Sequence, residues 1–160
     1  TQECGHLNIR ISRNGTWYYQ NSPINRLSII KLFSKVIRLD ADGKYYLITP
    51  VEKGLIDVED VPFVINSMKI EESENIQKIK LVTNVDDKVV VSKDNPIRVL
   101  IDKDTGEPSP YVLIRDNLEA LISRSIYYDL VDISVESKIE KNLWGVWSQK
   151  TFFPLGKVVD

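Results

Sequence analysis

The sequence is short of the residues that most enzymes lean on. It holds one histidine, His6, and one cysteine, Cys4. A single cysteine closes no intrachain disulfide, and the two residues together fall short of the roughly four ligands of a structural zinc site. The seven glycines are scattered singly, and neither G-x-G-x-x-G nor G-x-x-x-x-G-K-[ST] occurs, so no phosphate-cradling loop is built in. No apolar run approaches the roughly 20 residues of a membrane-spanning helix. A basic start followed by an apolar stretch and a small-residue cleavage site is missing as well. The expectation is a protein of the reducing cytoplasm with no cofactor and no metal.

What is present suits a folded core. The 160 residues are 42% hydrophobic and 28% charged, ordinary proportions for a globular chain. The net charge of −2 argues against a nucleic-acid polymer or a membrane as partner, since both reward clustered positive charge. The charge is unevenly spread. Residues 1 to 39 carry six Lys or Arg against Glu3 alone, and residues 40 to 74 carry three against nine acidic residues. The two stretches either complement each other or form separate solvated faces.

Patterning gives a first series of elements. Ile9 to Ser12 and Thr16 to Tyr19 read as a hairpin about Asn14-Gly15. Asn25 is placed to cap a helix over about 26 to 38, with Ile29, Ile30, Leu32, Phe33, Val36 and Ile37 on its apolar side. Strands follow at Tyr45 to Thr49, Leu55 to Val58 and Phe63 to Ile70. The polar break Glu71 to Asn75 suggests a boundary between an N-terminal α+β unit, 1–74, and a C-terminal one, 75–160.

The second series begins with a hairpin about Asp86-Asp87. Ile97 to Ile101 then pairs with Tyr111 to Ile114 across Asp104-Thr105-Gly106. Asp116 and Glu119 resemble a capping box opening a helix to about Ile133. An aromatic hairpin, Leu143 to Ser148 with Thr151 to Leu155, ends the chain. Both series pass from aromatic strand to helix to aromatic strand, so the fold class is α+β with duplicated strand-helix-strand units.

Candidate chemistry is thin. Cys4 and His6, two apart on a strand, point the same way, but a thiolate–imidazolium pair also needs an orienting third group. Asp102 to Glu107 lacks the third ligand and terminal Glu of a calcium loop and reads as a turn. A carboxylate hydrolase stays open, with Glu52 and Asp60 as the pair to nominate. Binding chemistry is better supplied. Trp17, Tyr19, Tyr127 and Trp147 can stack on a planar ring, and Arg10, Arg13, Arg26, Arg115 and Arg124 can fork onto phosphate or carboxylate. Equally, strand aromatics fill cores and arginines sit in solvent. Thr49-Pro50-Val51-Glu52-Lys53 leaves a strand at a connection, where binding residues gather.

At these residues the chain resembles a bacterial family, domain of unknown function 1285. The resemblance rests on Gly15-Thr16-Trp17-Tyr18-Tyr19, Tyr46 to Lys53, Val58-Glu59-Asp60-Val61-Pro62-Phe63, Thr105-Gly106-Glu107-Pro108, Tyr127-Tyr128-Asp129-Leu130-Val131, Gly145-Val146-Trp147-Ser148 and Phe152 to Gly156. It spans nearly the whole chain. His6 departs from it, since an acidic residue is expected after Cys4-Gly5.

The resemblance brings no assigned activity. It implies a duplicated α+β structure whose second half is superficially pleckstrin-homology-like, a role in signal transduction, and a nucleotide-like anionic ligand held between the halves. By motif membership it places Arg13, Trp17, Arg26, Glu52, Lys53, Arg124, Tyr127 and Trp147 at that site. The leading expectation is a non-catalytic ligand sensor or regulator. A protein-interaction module that offers a strand edge or groove to a protein partner is the alternative, ahead of the hydrolase.

Overall fold

The structure, a computed structural model, describes residues 2–158 and the side chains from Gly5 onward. The Cys4 side chain, and with it the Cys4–His6 pairing, lies outside the described residues. Strands dominate, and two short helices interrupt them. Neither helix is long and apolar enough to cross a membrane. The chain divides into two units, 1–63 and 64–160.

In the first unit, β1 (Gln2–Ile11) turns through Ser12 to Thr16 into β2 (Trp17–Tyr19), with Ile9 opposite Tyr19 and Ile11 opposite Trp17. Asn14 shapes the turn by accepting the Thr16 amide at 3.1 Å and the Ser12 hydroxyl. Gln20 and Asn21, both at positive φ, form a two-residue turn into β3 (Ser22–Pro23). Helix α1 (Leu27–Ser34) follows, then β4 (Ile37–Leu39), β5 (Tyr45–Ile48) and β6 (Glu52–Val58) as an antiparallel run. β6 returns beside β1 in parallel, giving the sheet order β3-β2-β1-β6-β5-β4.

One face of this sheet is apolar. Ile9, Ile11, Trp17, Ile37, Leu47 and Ile56 are buried, and Trp17 stacks on Phe33 of α1 with ring centroids 6.3 Å apart. The helix is shorter than the expected 26–38. Val36 and Ile37 leave it because Ile37 pairs with Leu47 in the sheet, where it is buried. Its N-cap is Arg26 rather than Asn25, and no side chain closes it.

The second unit takes in β7 (Phe63–Ser73) from Val64 onward and β8 (Ile76–Thr83), a hairpin through Glu74 and Asn75 at positive φ with one register shift between Ile65 and Ser67. The polar stretch at 71–75 is therefore strand end and turn, and the division between units falls at 63/64 instead. β9 (Lys88–Val90), β10 (Ile97–Ile101), β11 (Pro108–Arg115) and β12 (Leu118–Ile122) complete a sheet ordered β10-β11-β12-β7-β8-β9.

Residues 118 to 122 were expected in a helix and are a strand. Leu118, Ala120 and Ile122 are buried in alternation, the two-residue period of a sheet. Asp116, at φ 50°, makes a turn and caps nothing. Helix α2 is only Arg124–Asp132. Then β13 (Val135–Glu136), β14 (Leu143–Ser148) and β15 (Thr151–Lys157) form a three-stranded sheet. β14 lies against β8 and β15 against β10, so the two sheets curl around one core of Ile65, Ile79, Leu81, Val112, Leu118 and Val146.

Candidate functional site

Polar groups converge on the face of the first unit's sheet that turns away from Trp17. Alternation dictates which residues these are. Arg10 lies opposite Tyr18 on β2 and Asp57 on β6, while His6 lies opposite Leu55, which pairs in turn with Tyr46. The β1 register slips on both sides of His6, between Glu3 and His6 and again between His6 and Arg10. Gly5 at φ 71° and Asn8 at φ 59° supply the left-handed residues around these slips. Bulges of this kind re-aim a side chain, and here they centre on His6.

His6 Nε2 lies 3.0 Å from Asp57 Oδ2, and the Asn8 amide donates to His6 Nδ1 at 2.8 Å. An Nδ1 that accepts a hydrogen bond carries no proton, so the ring is the Nε2-H tautomer and donates to Asp57. Both nitrogens are thus engaged. Beside them the Arg10 guanidinium sits 4.1 Å from the centroid of the Tyr18 ring and donates to Glu59 Oε1 at 3.2 Å. The other Glu59 oxygen accepts the Arg13 amide at 2.8 Å.

On the other side of His6, Lys53 Nζ pairs with Asp40 at 2.6 Å and lies 4.4 Å from the centroid of the Tyr46 ring. The Tyr46 hydroxyl donates to Asp42 Oδ2 at 2.6 Å and the Lys44 amide to Oδ1 at 2.9 Å. The Tyr46 hydrogen bond first, then the Lys44 amide, holds the Asp42 carboxyl below its ordinary range. Two open hollows result. One of about 320 Å³ is lined by His6, Asn8, Arg10, Tyr18, Gln20 and Asp57, and one of about 280 Å³ by His6, Tyr46, Lys53 and Leu55. His6 belongs to both.

Of the eight residues expected at a site, Lys53 alone lines these hollows. Arg13 pairs with Asp60 at 2.9 Å beside the β1–β2 turn. Trp17 has no exposed surface and its ring is taken up in the core. Arg26 precedes α1, and Glu52 is exposed at the start of β6. In the second unit, Arg124 opens α2, and the Tyr127 hydroxyl donates to the Leu155 carbonyl at 3.3 Å. Burial raises the Tyr127 pKa. Trp147 is 40% exposed, edge-on to Phe152.

Glu52 and Asp60 do not make a catalytic pair. Glu52 opens β6 and Asp60 lies two residues beyond its last, Val58. Roughly 20 Å of strand separates the two ends of β6, whereas carboxylates that flank one glycosidic bond are within about 10 Å. Asp57 and Tyr18 were not singled out as site residues from the sequence, and His6 was weighed only as a partner for Cys4. The pairing of Arg10 with Tyr18 across the hairpin was the available signal.

Architecture and polar face together define a two-unit, strand-dominated α+β protein. Residues 1–61 match the N-terminal domain of unknown function DUF1285, and residues 62–155 match the C-terminal domain of the DUF1285 proteins of unknown function. The chain belongs to the DUF1285 family. A DUF1285 family protein from Silicibacter pomeroyi DSS-3 is similar in structure, at 42% identity and TM-score 0.87, over 98% of this chain and 83% of that one. One from Shewanella baltica OS155 aligns at 25% identity and TM-score 0.60, over 79% and 91%. Among curated proteins, none matches the chain.

Proposed function

We propose that this is a non-catalytic ligand-sensing protein of signal transduction, and that its first unit takes a nucleotide-like small anion on the polar face of the sheet. One observation carries the reading. Arg10 lies against Tyr18 in a hollow that His6, Asn8, Gln20 and Asn21 also line with polar groups. An arriving phosphate oxygen would take the guanidinium fork in place of Glu59, and a planar ring would stack on the same aromatic wall.

The exchange would be felt beyond the hollow. Glu59 released from Arg10 is the group that also holds the Arg13 amide at the β1–β2 turn. A ligand that rewires this carboxylate has different affinity for the two arrangements, which is what sensing requires. The full engagement of both His6 nitrogens favours binding over acid–base work. In the second unit, the curl of β14 against β8 and β15 against β10, with a helix between β12 and β13, favours a pleckstrin-homology-like reading. The single cysteine fits a cytoplasmic setting.

The test is a thermal-shift and calorimetric screen with nucleoside mono-, di- and triphosphates and inorganic phosphate. Ligand at a hundred times its Kd stabilises by about 2.7 kcal/mol. Arg10→Ala should weaken binding about tenfold or more, the equivalent of roughly 1.4 kcal/mol. A flat response across the panel at millimolar ligand rejects the reading.

A further inference from the structure

β9 ends the larger sheet of the second unit, and one side of its backbone faces no strand. The register fixes which groups lie there. Val91 donates to Ile79 at 2.9 Å and Thr83 to Asp87 at 2.8 Å, so these are hydrogen-bonded pairs of the β8–β9 ladder. The pairs that alternate with them, Lys80 with Val90 and Val82 with Lys88, are not. The N–H and C=O groups of Lys88 and Val90 therefore point away from β8, toward the open side.

The same register gathers positive charge on one face. Lys69 lies opposite Lys80, which lies opposite Val90; in the next row Ser67, Val82 and Lys88 are neighbours. Glu71 answers two of the lysines, at 3.3 Å from Lys69 and 2.8 Å from Lys80. Lys88 has no ion pair among the described residues. A groove of about 520 Å³ crosses this face from β7 over β8 to β9, with Lys69, Lys80 and Lys88 against the one carboxylate, Glu71, and with Val82, Val89 and Val90 among its lining residues.

We propose that β9 is a docking edge for an extended acidic segment of a partner protein, which adds to the sheet as a further strand. Backbone groups of Lys88 and Val90 supply the ladder, and side-chain alternation supplies the selectivity. A segment that alternates acidic with apolar residues turns its acids to the lysine face and its apolar side chains toward Val89. Lys88 on the edge strand also discourages a second copy of the chain, whose own β9 would bring the same charge alongside. The charge thus selects the partner. This site lies in the other unit from the small-anion hollow, so either reading stands if the other fails.

The probe is a capped synthetic peptide with glutamate and valine at alternate positions, titrated into the full ¹⁵N-labelled chain. The expected result is saturable binding with slowed hydrogen exchange at the Lys88 and Val90 amides. Lys88→Glu, a change at an exposed side chain, should weaken it about tenfold or more. Val90→Pro removes an outward N–H and no ladder bond, and should abolish it. The lysine-for-glutamate peptide should not bind. Absence of binding, or binding that is unaffected by Lys88→Glu and leaves the two amides unprotected, overturns the proposal. So does inorganic phosphate reproducing the same shifts, which would make the patch an anion site. A concentration-dependent dimer abolished by Val90→Pro would make a second copy the occupant and overturn it as well.

Discussion

Ser148 accepts the amide proton of Ile79 at 3.0 Å and gives its own to the carbonyl of Val91 at 2.6 Å. One hydroxyl of β14 thus stands where the second bond of the Ile79–Val91 pair would close. The first bond of that pair, Val91 to Ile79, is intact at 2.9 Å. Gln77 adds two further links, from its side chain to the Trp147 carbonyl at 2.7 Å and from the Gln149 amide to its own carbonyl at 2.9 Å. These bonds join β14 to β8 and complete the curl of the second unit.

Ser148 has no exposed surface, so its loss strands a buried N–H and a buried C=O. Ser148→Ala should lower stability by about 1–3 kcal/mol, read as a shift of the urea midpoint at unchanged slope. A loss below about 0.5 kcal/mol, the range of ordinary surface changes, would mean that Ile79 and Val91 close their ladder directly and that the hydroxyl is dispensable.

Two glycines are sites of close approach and should respond differently to a methyl group. A Cβ on Gly54 would lie 2.3 to 2.5 Å from three side-chain atoms of Leu7 on the neighbouring strand. Gly54→Ala should cost about 1–3 kcal/mol, the range of overpacking, and Leu7→Ala should recover part of it in a double-mutant cycle. A Cβ on Gly145 would lie 2.3 Å from the backbone oxygen of Phe153. Backbone cannot step aside as a side chain does. Gly145→Ala should therefore cost more than Gly54→Ala in the same urea measurement, and trimming Phe152 to Leu should not rescue it.

Acid should unpick the Tyr46–Asp42 hydrogen bond. The folded-state pKa of Asp42 is lowered from 3.8, chiefly by the Tyr46 hydroxyl. A carboxyl with a depressed folded value contributes stability above its unfolded value and loses it as the pH falls through the folded one. Asp102 behaves alike, held down by the Thr105 and Asp104 amides. Tyr46→Phe should raise the Asp42 pKa toward the ordinary value in a carboxyl NMR titration, with a smaller loss of stability on acidification than the parent shows. An unmoved Asp42 titration would mean that the Lys44 amide, not the hydroxyl, sets it.

Much of the strand pattern was legible because alternation and turn chemistry agree with it. The β1–β2, β8–β9, β10–β11 and β14–β15 hairpins lie where periodicity and Asn-Gly, Asp-Asp, Thr-Gly or polar turns put them. The failures share one cause. Over the five residues 118 to 122, apolar side chains satisfy a helical and a strand period alike, and only the buried partner face decides. Val36 and Ile37 likewise prolong a helical pattern on paper and pair with β5 in the sheet. The polar face was less legible still. His6 reaches Asp57 through register slips at Gly5 and Asn8, and no periodicity reports a bulge.

Glu119 offers the sharpest contrast between pattern and fold, and it can be measured. Read as the far side of a capping box, it would serve a helix with Asp116. In the fold it lies on β12 and receives both arms of Arg98, at 2.7 and 2.8 Å, while the guanidinium sits 4.4 Å from the Tyr111 ring centroid. Such a pair is bidentate and planar, which lysine cannot reproduce. Because Arg98 is half exposed, the coupling in an Arg98→Ala, Glu119→Ala double-mutant cycle should be about 0.5–1 kcal/mol and should shrink in high salt. Arg98→Lys should lose most of it. Zero coupling, with Glu119→Ala still destabilising on its own, would return Glu119 to a local role in its own strand.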